Sequence, residues 1–372
     1  MNILVQLSRI LVGVLFIISG FIKANDTIGF SYKLEEYFEV FHMPFFAHYA
    51  VPIAMFICIF EIMVGVVLLV GTYARLNAWL LLLMIIFFTL LTGYSAITNK
   101  VTDCGCFGDA IKLKPFQSFI KDLVLLVFIG IIFIGHSFIK PIFNKTICHI
   151  GMFISLLVTT FFTIYTFMFL PKIDFLPYKV GNDIGKLMEI PEGAPRDEYE
   201  MIFIYEKGGQ QLEFTAANLP ADLDTYKFID RKDKLIKEGY KPAIFDFKLY
   251  NDAGIDYTDS LLADKQNYKL ILVQKSVFEG RKGIESQIAA LADNWQKSGL
   301  TFWALSATAP EQVEVYRHEH QLAFPYYLMD ATPIKSMVRS NPGLILLKGN
   351  TVIKKWSAYN LPSFETVKKY MN

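Results

Sequence analysis

Charge is scarce in the first half of this 372-residue chain, and cysteine is missing from the second. Residues 1 to about 170 hold long apolar runs, whereas most Asp, Glu, Lys and Arg follow Leu170-Pro171. All four cysteines (Cys58, Cys104, Cys106, Cys148) lie in the apolar half, so the polar half can rely on neither disulfides nor cysteine-bound metal. The formal net charge is only +1 and there is no Lys/Arg block, which leaves no electrostatic footprint for nucleic acid. No short apolar core followed by an Ala-x-Ala-like cleavage site opens the chain, so its first apolar run is expected to be a retained helix.

What is present is hydrophobic length. Crossing about 30 Å of hydrocarbon takes roughly 20 apolar helical residues. Five stretches qualify: about Ile3 to Ala24, Val51 to Gly71, Leu76 to Thr98, Phe119 to Phe138 and Ile147 to Leu170. The competing reading, five buried helices of a soluble protein, is disfavoured by the length and purity of these runs. The expected fold is an all-α transmembrane bundle of four or five spans in the lipid bilayer (1–170), followed by a small β-rich linker region (171–242) and an α/β domain (243–372). The segment Asp26 to Ala50 mixes Lys33, Glu35 and Glu36 with Phe38, Phe41, Phe45 and Phe46, as an interfacial amphipathic segment or a plain loop would. Thr72 to Arg75 is a link short enough to make spans two and three antiparallel neighbours.

Arg9 and Glu61 sit inside apolar runs, where a charge needs a partner or a cavity. In antiparallel helices rising roughly 1.5 Å per residue the two reach similar depths, so an Arg9–Glu61 pair is expected. Proton movement or quinone binding at Glu61 is the other reading. With the N-terminus inside, the inner loops hold Arg75, Lys140 and Lys145, and the outer ones Lys23, Lys33, Lys100, Lys112 and Lys114. That count opposes the positive-inside rule. The orientation adopted nevertheless places the cysteine loop and the polar half outside, where thiol chemistry has more scope.

The strongest chemical signal is Thr102-Asp103-Cys104-Gly105-Cys106-Phe107-Gly108-Asp109, between spans three and four. A Cys-x-Cys bridge closes a very small ring, for which glycine supplies backbone freedom. Strain in such a ring favours an exchangeable bond. Asp103 and Asp109 would raise the thiol pKa values by repelling a thiolate. An inert pair and a metal site stay open, although two sulfurs one residue apart are not the usual tetrahedral spacing. Cys58 in span two could relay to the pair, or be buried packing like Cys148.

Three strings carry a resemblance: Arg9-Ile-Leu-Val-Gly13 with Ser19-Gly20-Phe-Ile-Lys23; Glu61-Ile-Met-Val-Gly65 with Leu68-Leu69-Val-Gly71; and Asp103-Cys-Gly-Cys-Phe-Gly108-Asp109. Together they resemble the DoxX/MauE family of small membrane proteins, over roughly residues 1 to 140. The resemblance implies that Cys104 and Cys106 are a thiol pair in periplasmic disulfide formation or membrane sulfur redox, with a quinone as the implied cofactor. A fifth span and a long soluble tail depart from the family pattern and make a role in methylamine metabolism doubtful.

After Pro171 the pattern is of short strands. Met201 to Tyr205 and Gln211 to Thr215 flank Lys207-Gly208-Gly209 as a hairpin, and Ala243 to Tyr250 with Ile255 to Thr258 suggest a second. From the buried strand Tyr268 to Gln274, helices and strands alternate, ending in a hairpin and a helix, as in an α/β fold with a mixed sheet. This order resembles thioredoxin-like domains of the redoxin type, including Asn341-Pro342 as a candidate cis peptide before the strand from Gly343. Where that family carries Cys-x-x-Cys this chain reads Lys275-Ser276-Val277-Phe278-Glu279-Gly280, so the domain cannot run dithiol exchange. Ser276 has no evident base beside it. His318 and His320, at i and i+2, point to different helix faces and suit chelation poorly.

Two functions follow as expectations. One is a multi-pass protein of the bacterial inner membrane that exchanges a disulfide at Cys104 and Cys106 with a periplasmic client protein. In that role Asp103, Asp109, Cys58, Glu61, Arg9 and Pro342 would be supporting residues. The other is a non-catalytic assembly or docking protein whose thioredoxin-like domain holds a partner. A transporter is disfavoured because charged or Gly/Pro-broken spans are few and no clear internal repeat is present.

Overall fold

The computed structural model of the chain describes residues 1–98, 100, 101 and 105–371. Helix α1 (Asn2–Asn25) turns directly into α2 (Thr27–Val40), whose first turn is capped by the Asp26 carboxylate accepting from Gly29 N at 2.8 Å. The mixed segment is therefore largely helical. A 3₁₀ turn leads into α3 (Ala50–Val70), followed by α4 (Ala74–Thr98), α5 (Pro115–Ile134) and α6 (Lys145–Phe169). Among the described residues five of these helices, all except α2, are long and apolar enough to cross a membrane. Hydroxyls within them serve their own backbone: Thr89, Ser95 and Thr98 of α4 each donate to the carbonyl four residues back. Large apolar side chains such as Leu7, Phe87, Phe153 and Phe161 face outward, as contact with lipid chains requires.

The crossing of α1 and α3 is built on glycine. A Cβ on Gly13 would stand 2.6 Å from Leu69, one on Gly65 would stand 2.8 Å from the Gly13 carbonyl, and one on Gly20 would meet Ile62 at 2.6 Å. Close backbone approach of this kind is how membrane helices gain packing without a hydrophobic driving force. A Gly65→Val substitution is expected to cost about 1–3 kcal/mol by overpacking, read as a lower thermal midpoint of the detergent-solubilised protein.

A second compact unit, Asp183–Phe247, holds α7 (Ile184–Met188) and a three-stranded antiparallel sheet of β1 (Glu198–Lys207), β2 (Gln210–Thr215) and β3 (Lys227–Lys237) in the order β2-β1-β3. The first expected hairpin is β1–β2. Strand β3 escapes a reading by alternation because every one of its residues is exposed and charges crowd it; pairs such as Lys237–Glu198 (3.1 Å) tie it to β1.

The expected second hairpin is reduced to one antiparallel bridge, Tyr250 to Asp256, flanked by Asn251 N donating to the Ile255 carbonyl at 3.0 Å and Tyr257 N to the Leu249 carbonyl at 2.8 Å, and Tyr250 also bridges Leu328, at 2.9 and 2.7 Å. Beyond it come α8 (Thr258–Ala263), β4 (Tyr268–Gln274), α9 (Glu285–Lys297), β5 (Thr301–Ser306), α10 (Pro310–His320), β6 (Tyr326–Leu328), α11 (Ala331–Met337), β7 (Gly343–Lys348), β8 (Thr351–Ser357) and α12 (Phe364–Lys368). The sheet runs β6-β5-β4-β7-β8, with β4, β5 and β6 parallel and β7 and β8 antiparallel to their neighbours. Leu270, Leu272, Leu344 and Leu346 on one face pack on Trp295 and Phe302. The Asn341–Pro342 bond is cis, and the His320 ring lies against Tyr316 at 4.6 Å.

Candidate functional site

Of the cysteine loop, Asp103 and Cys104 lie outside the described residues, and the account starts at Gly105. That glycine has φ +64°, and a Cβ on it would stand 3.2 Å from the stem of Lys33 in α2, so both backbone and space call for its lack of side chain. A turn closes behind it through Gly108 N donating to the Gly105 carbonyl at 3.1 Å. Within that turn the Cys106 carbonyl accepts from Ser19 Oγ of α1 at 2.9 Å. The Phe107 ring lies beneath the Lys121 ammonium, 5.4 Å from its centroid.

Cys106 and Phe107 border an apolar cavity of about 560 Å³ enclosed by α1 to α5, with Phe16, Phe30, Ile57, Phe88 and Leu125 among its walls. Two charge pairs face it, the first buried on both sides. Lys23 donates to the Glu61 carboxylate, and its ammonium lies over the Phe30 and Phe88 rings at 5.5 and 5.6 Å. Lys121 lies 2.8 Å from Asp122 Oδ1, whose other oxygen accepts from Thr92 Oγ1 at 2.9 Å.

The expected Arg9–Glu61 pair is thus replaced by Lys23–Glu61. Arg9 instead donates to the Leu68 and Leu69 carbonyls at 2.9 and 2.6 Å and to Gln6, satisfying the C-terminal carbonyls of α3. The glycine contacts explain the shift: they set Gly13 against Leu69 and Gly20 against Ile62, so Arg9 meets the end of α3, about 10 Å from Glu61 by the helical rise. Lys23 belongs to α1 and not to an outer loop, since Ser19-Gly20-Phe-Ile-Lys23 continues the apolar run without a break. Lys121 and Asp122 fell within the expected fourth span and could have been singled out there as Glu61 was. Cys58 is fully buried beside Ala54 and Ile62 and is not among the residues lining the cavity, and the Cys148 thiol, also buried, donates to the Phe143 carbonyl at 3.4 Å.

On the other side of the loop is a polar cavity of about 450 Å³, bordered by Gly105, Gly108, Lys33, Glu35, Lys112 and Lys335. Gly105 borders both cavities, so the loop is a partition between an apolar and a polar space. Arg339, in the turn before the cis-proline, reaches this wall: its Nε lies 2.8 Å from Asp26 and its Nη2 2.6 Å from Asp109. Burial works against the guanidinium charge, but Asp26 and Asp109 outweigh it and hold the Arg339 pKa above its ordinary value. Beside it, burial pushes the Tyr32 phenol up to about 12, so it presents a neutral ring to Lys335, Lys275 and Arg339 at 4.7, 5.2 and 5.6 Å. Pro342 stands next to the loop after β4, where the Asn341 amide donates to the Ser276 carbonyl at 2.8 Å and Arg281 N to the Asn341 carbonyl at 3.0 Å.

Fold and site together define a polytopic membrane protein carrying an α/β domain with a mixed five-stranded sheet and no cysteine. Residues 1–135 match the family described as methylamine utilisation protein MauE, and residues 199–238 match a domain of unknown function. No curated protein matches the chain. Among solved structures, a proposed protein disulfide isomerase from Bacteroides thetaiotaomicron is similar at 14% identity over 34% of this chain and 84% of its own, with a TM-score of 0.29. A hypothetical protein from Sinorhizobium meliloti 1021 is similar at 17% identity over 30% and 66%, with a TM-score of 0.24.

Proposed function

We propose that this chain is a thiol–disulfide redox component of the bacterial inner membrane, with the cysteine loop and the C-terminal domain on the periplasmic side. The disulfide of Cys104 and Cys106 oxidises a dithiol client: the client gains a disulfide and the pair becomes two thiols. A quinone in the apolar cavity then reoxidises the pair, taking up the same two electrons and two protons as it becomes a quinol. The observation that carries this reading is the loop's place as a partition, with Cys106 on the apolar side and Gly105 touching both spaces. A lipid-soluble acceptor and a water-borne thiol could approach it from opposite sides. Lys23–Glu61 and Lys121–Asp122 put titratable groups at the cavity, where a quinone carbonyl would need protons.

Five spans place the loop, α2 and the C-terminal domain on one side whichever way the chain inserts. The burial of Lys23 also removes one charge from the outer loops and lessens the conflict with the positive-inside rule. Membrane-impermeant thiol labelling of intact cells is expected to reach the loop only after mild reduction. Cys104→Ser or Cys106→Ser is expected to trap a client as a mixed disulfide on non-reducing gels. Labelling that needs cell lysis would reverse the orientation. A correctly oriented loop that traps no client in either variant would leave the docking reading in place of the redox one.

A further inference from the structure

The C-terminal domain has no thiol, yet the face on which its fold would carry one is engaged. The loop after β4 and the turn before β7 stand side by side at that face, joined by the bonds between Asn341 and both Ser276 and Arg281. From this face three cations meet acids of the membrane part. Lys275 and Lys335 lie 3.5 and 3.7 Å from Glu35 of α2, and Arg339 bridges Asp26, at the junction of α1 and α2, to Asp109 of the cysteine loop. Arg339 is only 6% exposed. It also donates to the Lys335 carbonyl, which ties its stem to α11.

Asp109 directly follows the turn that holds Cys106, and Ser19 holds the Cys106 carbonyl from α1. The described part of the loop, 105–109, is therefore held by α1 at Cys106 and by Arg339 at Asp109. We infer that Arg339 is a positioning residue for the cysteine loop, and that the thiol-free face is an intramolecular clamp whose ligand is the acidic surface formed by Asp26, Glu35 and Asp109. The domain's contribution is to hold the partition in place while chemistry takes place elsewhere. A fork-shaped guanidinium suits this bridging role, since it can serve two carboxylates at once where an ammonium serves them as a point charge. The purpose of the clamp rests on the redox reading of the loop; its existence does not.

The test is the alkylation rate of Cys106 in the full-length, reduced, detergent-solubilised protein. It is followed on the Cys106 peptide by mass spectrometry, at a pH above the thiol's titration so that thiolate fraction is not the variable. Arg339→Gln and Asp109→Asn are each expected to speed alkylation at least about fivefold, the low end of coupling between sites. The double variant is expected to be no faster than Arg339→Gln, because the contact that Asp109→Asn removes is already lost in it. Arg339→Lys should fall between wild type and Arg339→Gln. Rates within about twofold of wild type, or single effects that multiply in the double variant, would overturn the clamp. If Arg339→Gln cannot be recovered from membranes, Asp109→Asn decides alone, since that carboxylate is partly exposed and its loss is tolerable. Cys104→Ser and Cys106→Ser proteins that trap no client, together with these rate changes in the Arg339 and Asp109 variants, would remove the redox reading and keep the clamp.

Discussion

Replacing Lys23 with Met is expected to destabilise the bundle by about 3–5 kcal/mol, because it strands the Glu61 carboxylate in an apolar interior. Both side chains are nearly inaccessible, and the Lys23 ammonium has no comparable carboxylate partner beyond Glu61 among the described contacts. The double variant Lys23→Met with Glu61→Leu is expected to recover most of that loss, since replacing a whole buried pair by apolar groups of similar volume is often neutral. Function separates the two explanations for the pair. If it supplies protons at the cavity, the recovered double variant still fails to regenerate the loop disulfide with a soluble quinone analogue. Wild-type regeneration in that variant would make the pair structural and take the proton role from it. Thermal midpoints in detergent and quinone-dependent thiol loss measure the two effects independently.

A comparable loss is expected in the C-terminal domain from Lys269→Met. Lys269 lies in the central strand β4 and is 1% exposed. Its ammonium donates to the Leu261 and Asp264 carbonyls at 2.5 and 2.7 Å and to Asn350 Oδ1 at 3.2 Å. Met matches the stem but takes the ammonium from three acceptors, two of them in buried contacts, so about 3 kcal/mol is expected to go. Urea unfolding of the full chain, followed by the fluorescence of the buried Trp295, reads that loss. An unchanged midpoint would mean that water replaces the ammonium and that the strand tolerates an apolar residue there.

Much of the architecture could be read from local pattern. Hydrophobic length alone gives five spans with ends within a few residues, because a bilayer sets a length that composition must meet. The alternation of β4 to β8 with α9 to α12 was equally legible, because buried strands and amphipathic helices differ in period. Strand β3 was not, since an exposed strand held by charge pairs has no apolar alternation to see. The hairpin expected at 243–258 shrank to a single bridge, Tyr250 to Asp256, and local strand character could not show that Tyr250 also bridges the distant Leu328.

At the candidate site the division is sharper. The sequence by itself determined that thiol chemistry can reside only in the apolar half and that the C-terminal domain has no thiol, because residue identity settles both. It could not choose a partner for Glu61, which depends on the register of two helices set by Gly13, Gly20 and Gly65. Nor could it bring Arg339 to Asp26 and Asp109, contacts that cross more than 200 residues of chain. Local periodicity has no information about such distances. Only the packing of the domain against the bundle decided that the cysteine loop would be a wall between two cavities.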